Sequence, residues 1–237
     1  MKKIMWVFSF ISLIGMAVSM QFMPDKVPMH FDISGNVDRW GSKYEMFIFP
    51  VFLILNAIIT AVILNNFEKK ALADPGSKES AGFKSNAKVI GITGAVTSAV
   101  LVAIQGFMTY KVCSGALPGE EGKTVNTGII PALLIGVLLI VLGNFMTKTR
   151  LNRFIGFRTK WSMYNDVTWE KSNRFGSYLM IAAGVLSIVC AVIVKSAAAS
   201  STVAVALVVI AGIVTAINSH KVYKEETAQE KENNDDN

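Results

Sequence analysis

Long apolar blocks, almost free of charged residues, alternate with short polar segments along this 237-residue chain. A helix needs roughly 20 apolar residues to cross the hydrocarbon core of a bilayer, and in lipid each segment must satisfy its own backbone hydrogen bonds. Six blocks approach or reach that length, and they cover residues 4–23, 47–66, 89–110, 129–147, 178–194 and 203–217. The pattern predicts an all-α polytopic membrane protein with about six transmembrane helices.

Composition agrees with this prediction. The chain is 52% hydrophobic, above the roughly 45–50% of soluble domains, and its mean hydropathy is +0.45. The first block follows two lysines and resembles the apolar part of a signal peptide. Because this block is long and further spans follow it, we expect it to remain as the first helix of a multi-pass protein of the bacterial cytoplasmic membrane.

The basic residues predict the orientation of the spans. Positively charged residues concentrate in the cytoplasmic loops of membrane proteins. With the N-terminus inside, the inner segments carry 17 of the 23 basic residues, and both termini are cytoplasmic. The formal charge of +6 is therefore a topology signal, and we expect the lipid bilayer and no nucleic acid as a partner.

The interior of the spans carries no catalytic or ion-conducting chemistry in the sequence. No Asp, Glu, Lys, Arg or His falls at membrane depth, whereas pumps and proton-coupled transporters normally keep such residues there. Cys113 and Cys190 are isolated and have no metal-site spacing. We expect Asn56 to bond a neighbouring helix. The chain is therefore predicted not to be an enzyme and to need no cofactor.

Polar segments divide the chain into two membrane modules. Residues 1–66 form a two-helix module with an exported loop at 21–45, and residues 89–218 form a four-helix module. The remaining predicted segments are a cytoplasmic linker at 67–88, a cytoplasmic connector at 147–174 within the second module, and a disordered charged tail at 219–237.

The exported loop combines an extended pattern with metal-capable side chains. Val27, Met29 and Phe31 alternate with polar or proline positions, which predicts a short strand. His30, Asp32 and Asp38 could ligate a metal, but a wider set of ligands is missing. We therefore favour structural roles and partner contact for the exported loop, with Asp38 pairing with Arg39, Trp40 at the headgroup level and Lys43 facing lipid phosphate.

The cytoplasmic connector contains more specific chemistry than a simple link needs. Its basic residues can bind the anionic inner leaflet, each contributing about 1 kcal/mol. Residues 151–157 are predicted to lie in the membrane interface as a short amphipathic piece, and Gly156 permits a left-handed turn. Ser162 is a candidate N-cap, and Trp169, Asn173 and Gly176 share one helical stripe, which predicts docking on the protein.

Two motifs resemble a known family of bacterial membrane proteins. The segment GNFMTKTRLNRFIGFRTKWSMYNDVTWEKSNRFG resembles the SdpI/YfhL family pattern, and PDKVPMHFDISGNVDRWGSK resembles the N-terminal module that accompanies it. The first match runs through Asn144, Asn152, Gly156, Arg158, Thr159, Trp161, Trp169, Arg174 and Gly176. The second runs through Pro24, Pro28, His30, Phe31, Gly35, Asp38, Trp40 and Lys43.

The resemblance implies an immunity protein that confers resistance to a secreted peptide toxin and that holds a cytoplasmic repressor protein at the membrane. The toxin-facing residues would be Pro28, His30, Asp32, Asp38, Trp40 and Lys43. The cytoplasmic interface would comprise Asn144, Arg150, Asn152, Arg153, Gly156, Arg158, Thr159, Trp161, Trp169, Asn173 and Arg174. The alternative is a small-molecule or lipid-handling transporter, or a metal-dependent membrane enzyme, that uses the exported loop.

Overall fold

The computed structural model describes residues 1–31, 37–114, 129–194 and 197–235. The α-helices of this part are α1 (Lys2–Ser19), α2 (Ile48–Ala73), α3 (Lys78–Cys113), α4 (Ile130–Met146), α5 (Asp166–Val194) and α6 (Ala197–Asp235). Strands β1 (Lys26–Phe31) and β2 (Val37–Ser42) form an antiparallel hairpin between α1 and α2. Short 3-10 helices cover Met20–Phe22 and Lys43–Phe47.

The helices confirm the polytopic all-α class. Five of those described are long and apolar enough to cross a membrane. Helix α4 has 17 residues and is about 26 Å long at 1.5 Å per residue, slightly shorter than a typical hydrocarbon core. It lies against α5 with little space between them, because a Cβ on Gly143 would come within 3.0 Å of the carbonyl oxygen of Ser177.

The predicted linker and tail are more helical than the sequence suggested. Only residues 74–77 separate α2 from α3, where Gly76 has φ +100° and the Ser77 hydroxyl caps α3 by accepting from Ser80 N at 3.0 Å. Residues 219–235, expected to be a disordered tail, continue α6. An ion pair between Lys221 and Glu225 on one helix face supports this extension.

The four predicted inner segments lie at one end of the molecule. Lys2 bonds Glu68 at 2.6 Å, and the Asn86 side chain accepts from Arg150 N at 2.8 Å. The ring of His220 lies against a tryptophan of the connector. The basic segments therefore collect on one face, as the charge distribution predicts, and the hairpin lies at the opposite end.

Polar side chains at membrane depth bond between helices. The Asn56 amide donates to Gly94 O at 3.1 Å and to Ser98 Oγ at 2.9 Å, which confirms its predicted role. Gln105 of α3 donates to the Ser12 carbonyl of α1 at 3.0 Å and accepts from the Ser12 hydroxyl. These bonds tie α1, α2 and α3 into one unit.

Candidate functional site

The exported hairpin sits on a methionine cluster formed by α1, α3 and the segments next to the hairpin. Met16, Met20, Met23 and Met46 are buried there with Val27 and Val112. The β1 strand confirms the short strand that the alternation of Val27, Met29 and Phe31 predicted. In the ladder Pro28 lies opposite Trp40, and the register shifts around His30. The unbranched methionines suit an irregular contact of this kind.

Ion pairs on the hairpin differ from the expected ones. Asp38 bonds His30 at 2.6 Å, whereas it was expected to pair with Arg39. Arg39 instead reaches Glu45 at 2.5 Å, because Glu45 closes a capping box with Ser42 at the start of the next helix. Lys43 pairs with Asp25 at 2.9 Å and so is directed to protein rather than to lipid phosphate.

The structure describes two of the three residues that the metal hypothesis for the exported loop requires. His30 and Asp38 are adjacent and exposed, and Asp32 lies outside the described residues together with Gly35 of the motif. Among the described side chains, no group of three metal-capable residues comes together. A pair alone does not make a protein metal site.

Trp40 is the hairpin residue with unused hydrogen-bonding capacity. Its side chain is half-buried, and its Nε1 is buried without an acceptor among the described residues. Buried indole N–H groups usually have a partner. Pro28 is buried beside it, so these two predicted contact residues form one patch, while His30 and Asp38 form another.

The inner connector is folded by two buried asparagines. Asn152 accepts from Phe154 N and Ile155 N at 2.7 and 2.9 Å, and its amide donates to the carbonyls of Arg150 and Ile155. This fixes residues 150–155 as a tight loop. Asn173 accepts from Phe157 N at 2.6 Å and donates to a carbonyl one turn earlier in α5.

Gly156 joins the two asparagine-held segments. It has φ +114°, a conformation that favours glycine. A Cβ there would lie 2.7 Å from Asn173 Oδ1 and 2.8 Å from Trp169 Cζ2. The Trp169 indole is 2% exposed and donates to Thr149 O at 3.1 Å. The stripe of Trp169, Asn173 and Gly176 thus docks on the protein, as its spacing predicts.

The N-cap of α5 lies three residues beyond the expected Ser162. Asn165 is the cap, because its Oδ1 accepts from Thr168 N at 2.8 Å while Thr168 Oγ1 accepts from Asn165 N at 3.0 Å. Ser162 serves the turn before it, where its hydroxyl accepts from Thr159 N and donates to Phe157 O. The hydroxyls of Thr159 and Ser219 lie 3.0 Å apart, which joins this turn to α6.

The cytoplasmic extension of α6 holds the connector through side chains that the sequence did not reveal. Trp161 stacks on His220 with 4.6 Å between ring centroids. Tyr164 donates to Glu230 at 2.6 Å, and Asn165 donates to Glu226 at 3.2 Å. The bond to Glu230 raises the pKa of Tyr164, and burial adds to the shift.

Apolar residues of the connector contact protein where the sequence predicted membrane interface. Phe154 packs edge-on against Phe67 of α2, with centroids 5.4 Å apart. Ile155 packs on the cluster around Met5, Phe67 and Ile90. Two residues of the expected amphipathic piece at 151–157 therefore also contact protein, while Phe154 keeps an exposed side.

The predicted interface residues fall into a buried set and an exposed set. Asn152, Trp169 and Asn173 are buried and shape the connector, and Gly156, Thr159 and Trp161 are half-buried. The exposed residues are Asn144, Arg150, Arg153, Arg158 and Arg174. Arg150 borders a polar cleft of about 640 Å³ between α3 and α5, together with Lys78, Glu79, Asp166 and Glu170.

Comparison with known proteins finds a family match for the part of the chain that begins in the connector. Residues 148–219 match the SdpI/YfhL protein family. This part of the chain is similar to the SdpI/YfhL family of membrane proteins. The matched region begins in the connector and ends at Ser219, the α6 residue that contacts Thr159. Together with the five long apolar helices, this match indicates a multi-pass bacterial membrane protein.

Similarity to the SdpI family extends over most of the chain. Over 214 residues it is 22% identical to "Immunity protein SdpI" of Bacillus subtilis (strain 168), covering 90% of this chain and 91% of the relative. Residues 7–54, which include the hairpin, match a domain of unknown function (DUF1648). No solved structure matches the chain significantly.

Proposed function

We propose that this protein is an immunity protein that protects its cell against a secreted peptide toxin. The observation that carries the proposal is the alignment with the relative named an immunity protein, which spans both membrane modules. The proposed role is one of binding rather than of chemical conversion. It assigns toxin contact to the exported hairpin and partner contact to the cytoplasmic connector.

The hairpin suits a peptide ligand in two respects. Its underside rests on methionines, whose flexible thioethers repack easily around different apolar surfaces. Trp40 also offers a buried Nε1 donor without an acceptor among the described residues, and a peptide carbonyl would satisfy it. We infer that a toxin segment enters beside Trp40 and Pro28 and displaces part of the hairpin contact.

The connector suits a cytoplasmic protein partner, which the family resemblance identifies as a small repressor. The polar cleft at Arg150 carries both signs of charge, with Lys78, Glu79, Asp166 and Glu170 at its edges. Helix α2 reaches both sites, since Phe49 packs near the methionine cluster and Phe67 contacts Phe154. We propose that toxin binding shifts this helix and so changes the affinity of the connector for the repressor.

Protection can be tested by expressing the full chain in a sensitive host. The host is challenged with peptide toxins secreted by bacteria that carry SdpI-family immunity proteins, and survival is measured. We expect the intact protein to protect and Trp40→Phe to protect less, because this change removes the N–H while keeping an aromatic ring. Failure of the intact protein against every such toxin would contradict immunity.

Repressor binding is measured separately, as the fraction of the repressor recovered with membranes. Arg150→Ala is expected to lower this fraction while toxin survival stays near the level of the intact protein. Lys26→Ala, an exposed change on the other side of the membrane, is the matched control. Loss of survival and of repressor recovery together in Arg150→Ala would contradict the proposed division of roles.

A further inference from the structure

An apolar groove lies beneath the connector, at the inner ends of α4, α5 and α6. Its volume is about 240 Å³, and its lining includes Met146, Gly176, Gly212 and Thr215 below the loop at Gly156. The Thr215 hydroxyl donates to Ala211 O at 2.6 Å, so its hydrogen-bonding need is met within α6. The groove therefore offers an apolar surface with little to hold water.

An empty apolar space of this size favours an apolar guest over water, because water needs several polar partners in a cavity. The depth of the groove indicates which guest is at hand. Met146 is the last residue of α4, and Thr215 lies one turn before Ser219, which contacts the connector. The groove is thus level with the inner leaflet, where lipid acyl chains are the abundant apolar groups.

Two arginines at the loop above the groove supply the complementary charge. Arg158 donates to the Arg153 carbonyl, which ties its guanidinium to the loop that lines the groove. Both arginines are exposed. The ion pairs of the connector join Arg150 with Glu170 and Lys171 with Glu226. They leave Arg153 and Arg158 without a carboxylate partner among the described residues. Arginine is well suited to binding phosphate.

We propose that this groove is a specific site for one anionic phospholipid of the inner leaflet. One acyl chain lies under the loop at Gly156, and the phosphate binds Arg153 and Arg158. A lipid bound in this way fills the space between α4, α5 and α6 and braces the connector from below. This site does not depend on the proposed toxin or repressor.

Native mass spectrometry of the full-length protein in detergent tests the proposal. After delipidation, the protein is titrated with phosphatidylglycerol, with phosphatidylethanolamine and with glycerol phosphate as the headgroup alone. We expect one equivalent of phosphatidylglycerol to bind more tightly than phosphatidylethanolamine, and glycerol phosphate not to compete. Equal affinity for both lipids, or full competition by glycerol phosphate, would overturn the proposal.

Gly212→Leu tests the groove itself. A Cβ added at Gly212 meets no atom within 4 Å, so the leucine side chain can enter the groove without displacing backbone. We expect the affinity for phosphatidylglycerol to fall by about tenfold or more, as the loss of roughly two buried methylenes would cause. Gly106→Leu is the matched control, since its Cβ also meets open space, on α3. Unchanged lipid binding in Gly212→Leu would refute the groove.

Paired changes of Arg153 and Arg158 test the headgroup contact. With both changed to Gln, the preference for the anionic over the zwitterionic lipid should disappear, whereas both changed to Lys should keep most of it. Thermal unfolding in detergent shows whether each variant remains folded. A preference that survives the Gln pair in folded protein would place the phosphate elsewhere.

Discussion

Gly156 shows how a single backbone position sets the shape of the connector. Its φ of +114° turns the chain back towards α5, and the missing side chain lets Trp169 and Asn173 approach the backbone. The same closeness allows Asn173 to accept from Phe157 N at 2.6 Å. Conformation and packing therefore both require glycine here.

Gly156→Ala is expected to destabilise the protein. The left-handed conformation costs an alanine about 1 kcal/mol, and displacing the indole and amide adds about 1–3 kcal/mol. A lower apparent unfolding temperature in detergent measures the effect. Gly76→Ala is the matched control, because Gly76 has φ +100° but its Cβ would meet no atom within 4 Å. Equal shifts for the two variants would show that the contacts with Trp169 and Asn173 contribute nothing.

The sequence identified the important residues of the connector more accurately than it identified their partners. Spacing along a helix predicted the docking of Trp169 and Asn173, and a glycine within a polar segment predicted the turn. The direction of the amides at Asn152 and Asn173 was not predictable, because an asparagine side chain can bond nearby backbone or a distant partner equally well. The contact between Trp161 and His220 joins residues far apart in sequence, so no local pattern signals it.

At the level of elements, the unexpected feature is the length of α6. It has 39 residues, or about 58 Å at 1.5 Å per residue, well beyond the hydrocarbon core. Its cytoplasmic part contacts the connector through Glu226 and Glu230. The helix therefore serves both as a membrane span and as a support for the connector.

Removal of residues 226–237 tests this support. The truncation deletes both glutamates, so we expect faster amide hydrogen exchange at residues 161–165 with little change in the membrane-spanning helices. Removal of residues 231–237 keeps Glu226 and Glu230 and is the matched control. Unchanged exchange at 161–165 in the longer truncation would show that α6 does not hold the connector.

Helix ends were less predictable than helix existence. Long apolar runs predicted every span, since a bilayer sets their minimum length. The extensions of α3 and α6 carry charged residues, and such sequence is equally compatible with disorder until a capping residue or a packing surface is known. Ser77 caps α3 inside the segment that was predicted as a linker, whereas the packing surface for α6 is formed by a distant segment. The second hairpin strand has no clear alternation and became visible only through its pairing with β1.

On the scale of the whole molecule, the connector packs against the cytoplasmic-side ends of α2 and α3. Phe154 contacts Phe67 of α2, and backbone groups of Lys148 and Arg150 bond Ser85 and Asn86 of α3. The connector thus contacts residues of the segment 67–88, which the sequence predicted as a linker between the modules. A shift of α2 or α3 can therefore be transmitted to the connector through direct protein contacts.

Asn86→Ala should weaken the contact between α3 and the connector. Asn86 is 1% exposed, and its Oδ1 accepts from Arg150 N at 2.8 Å. Without it a buried amide loses its partner, which costs about 1–3 kcal/mol. We expect a lower unfolding temperature in detergent and faster exchange of the Arg150 amide. Asn66→Ala, at an exposed position of α2, is the control, and an equal response of the two variants would count against the contact.

The methionine cluster under the hairpin has a chemical consequence for the exported face. Oxidants convert thioethers into polar sulfoxides, which cannot return to an apolar site without reduction. Met16 and Met46 are 0% and 2% exposed while the hairpin covers them. Any ligand that lifts the hairpin exposes them, and the sulfoxides remain after the ligand has gone. Methionine sulfoxide in this cluster would therefore indicate that the hairpin had opened at some earlier time.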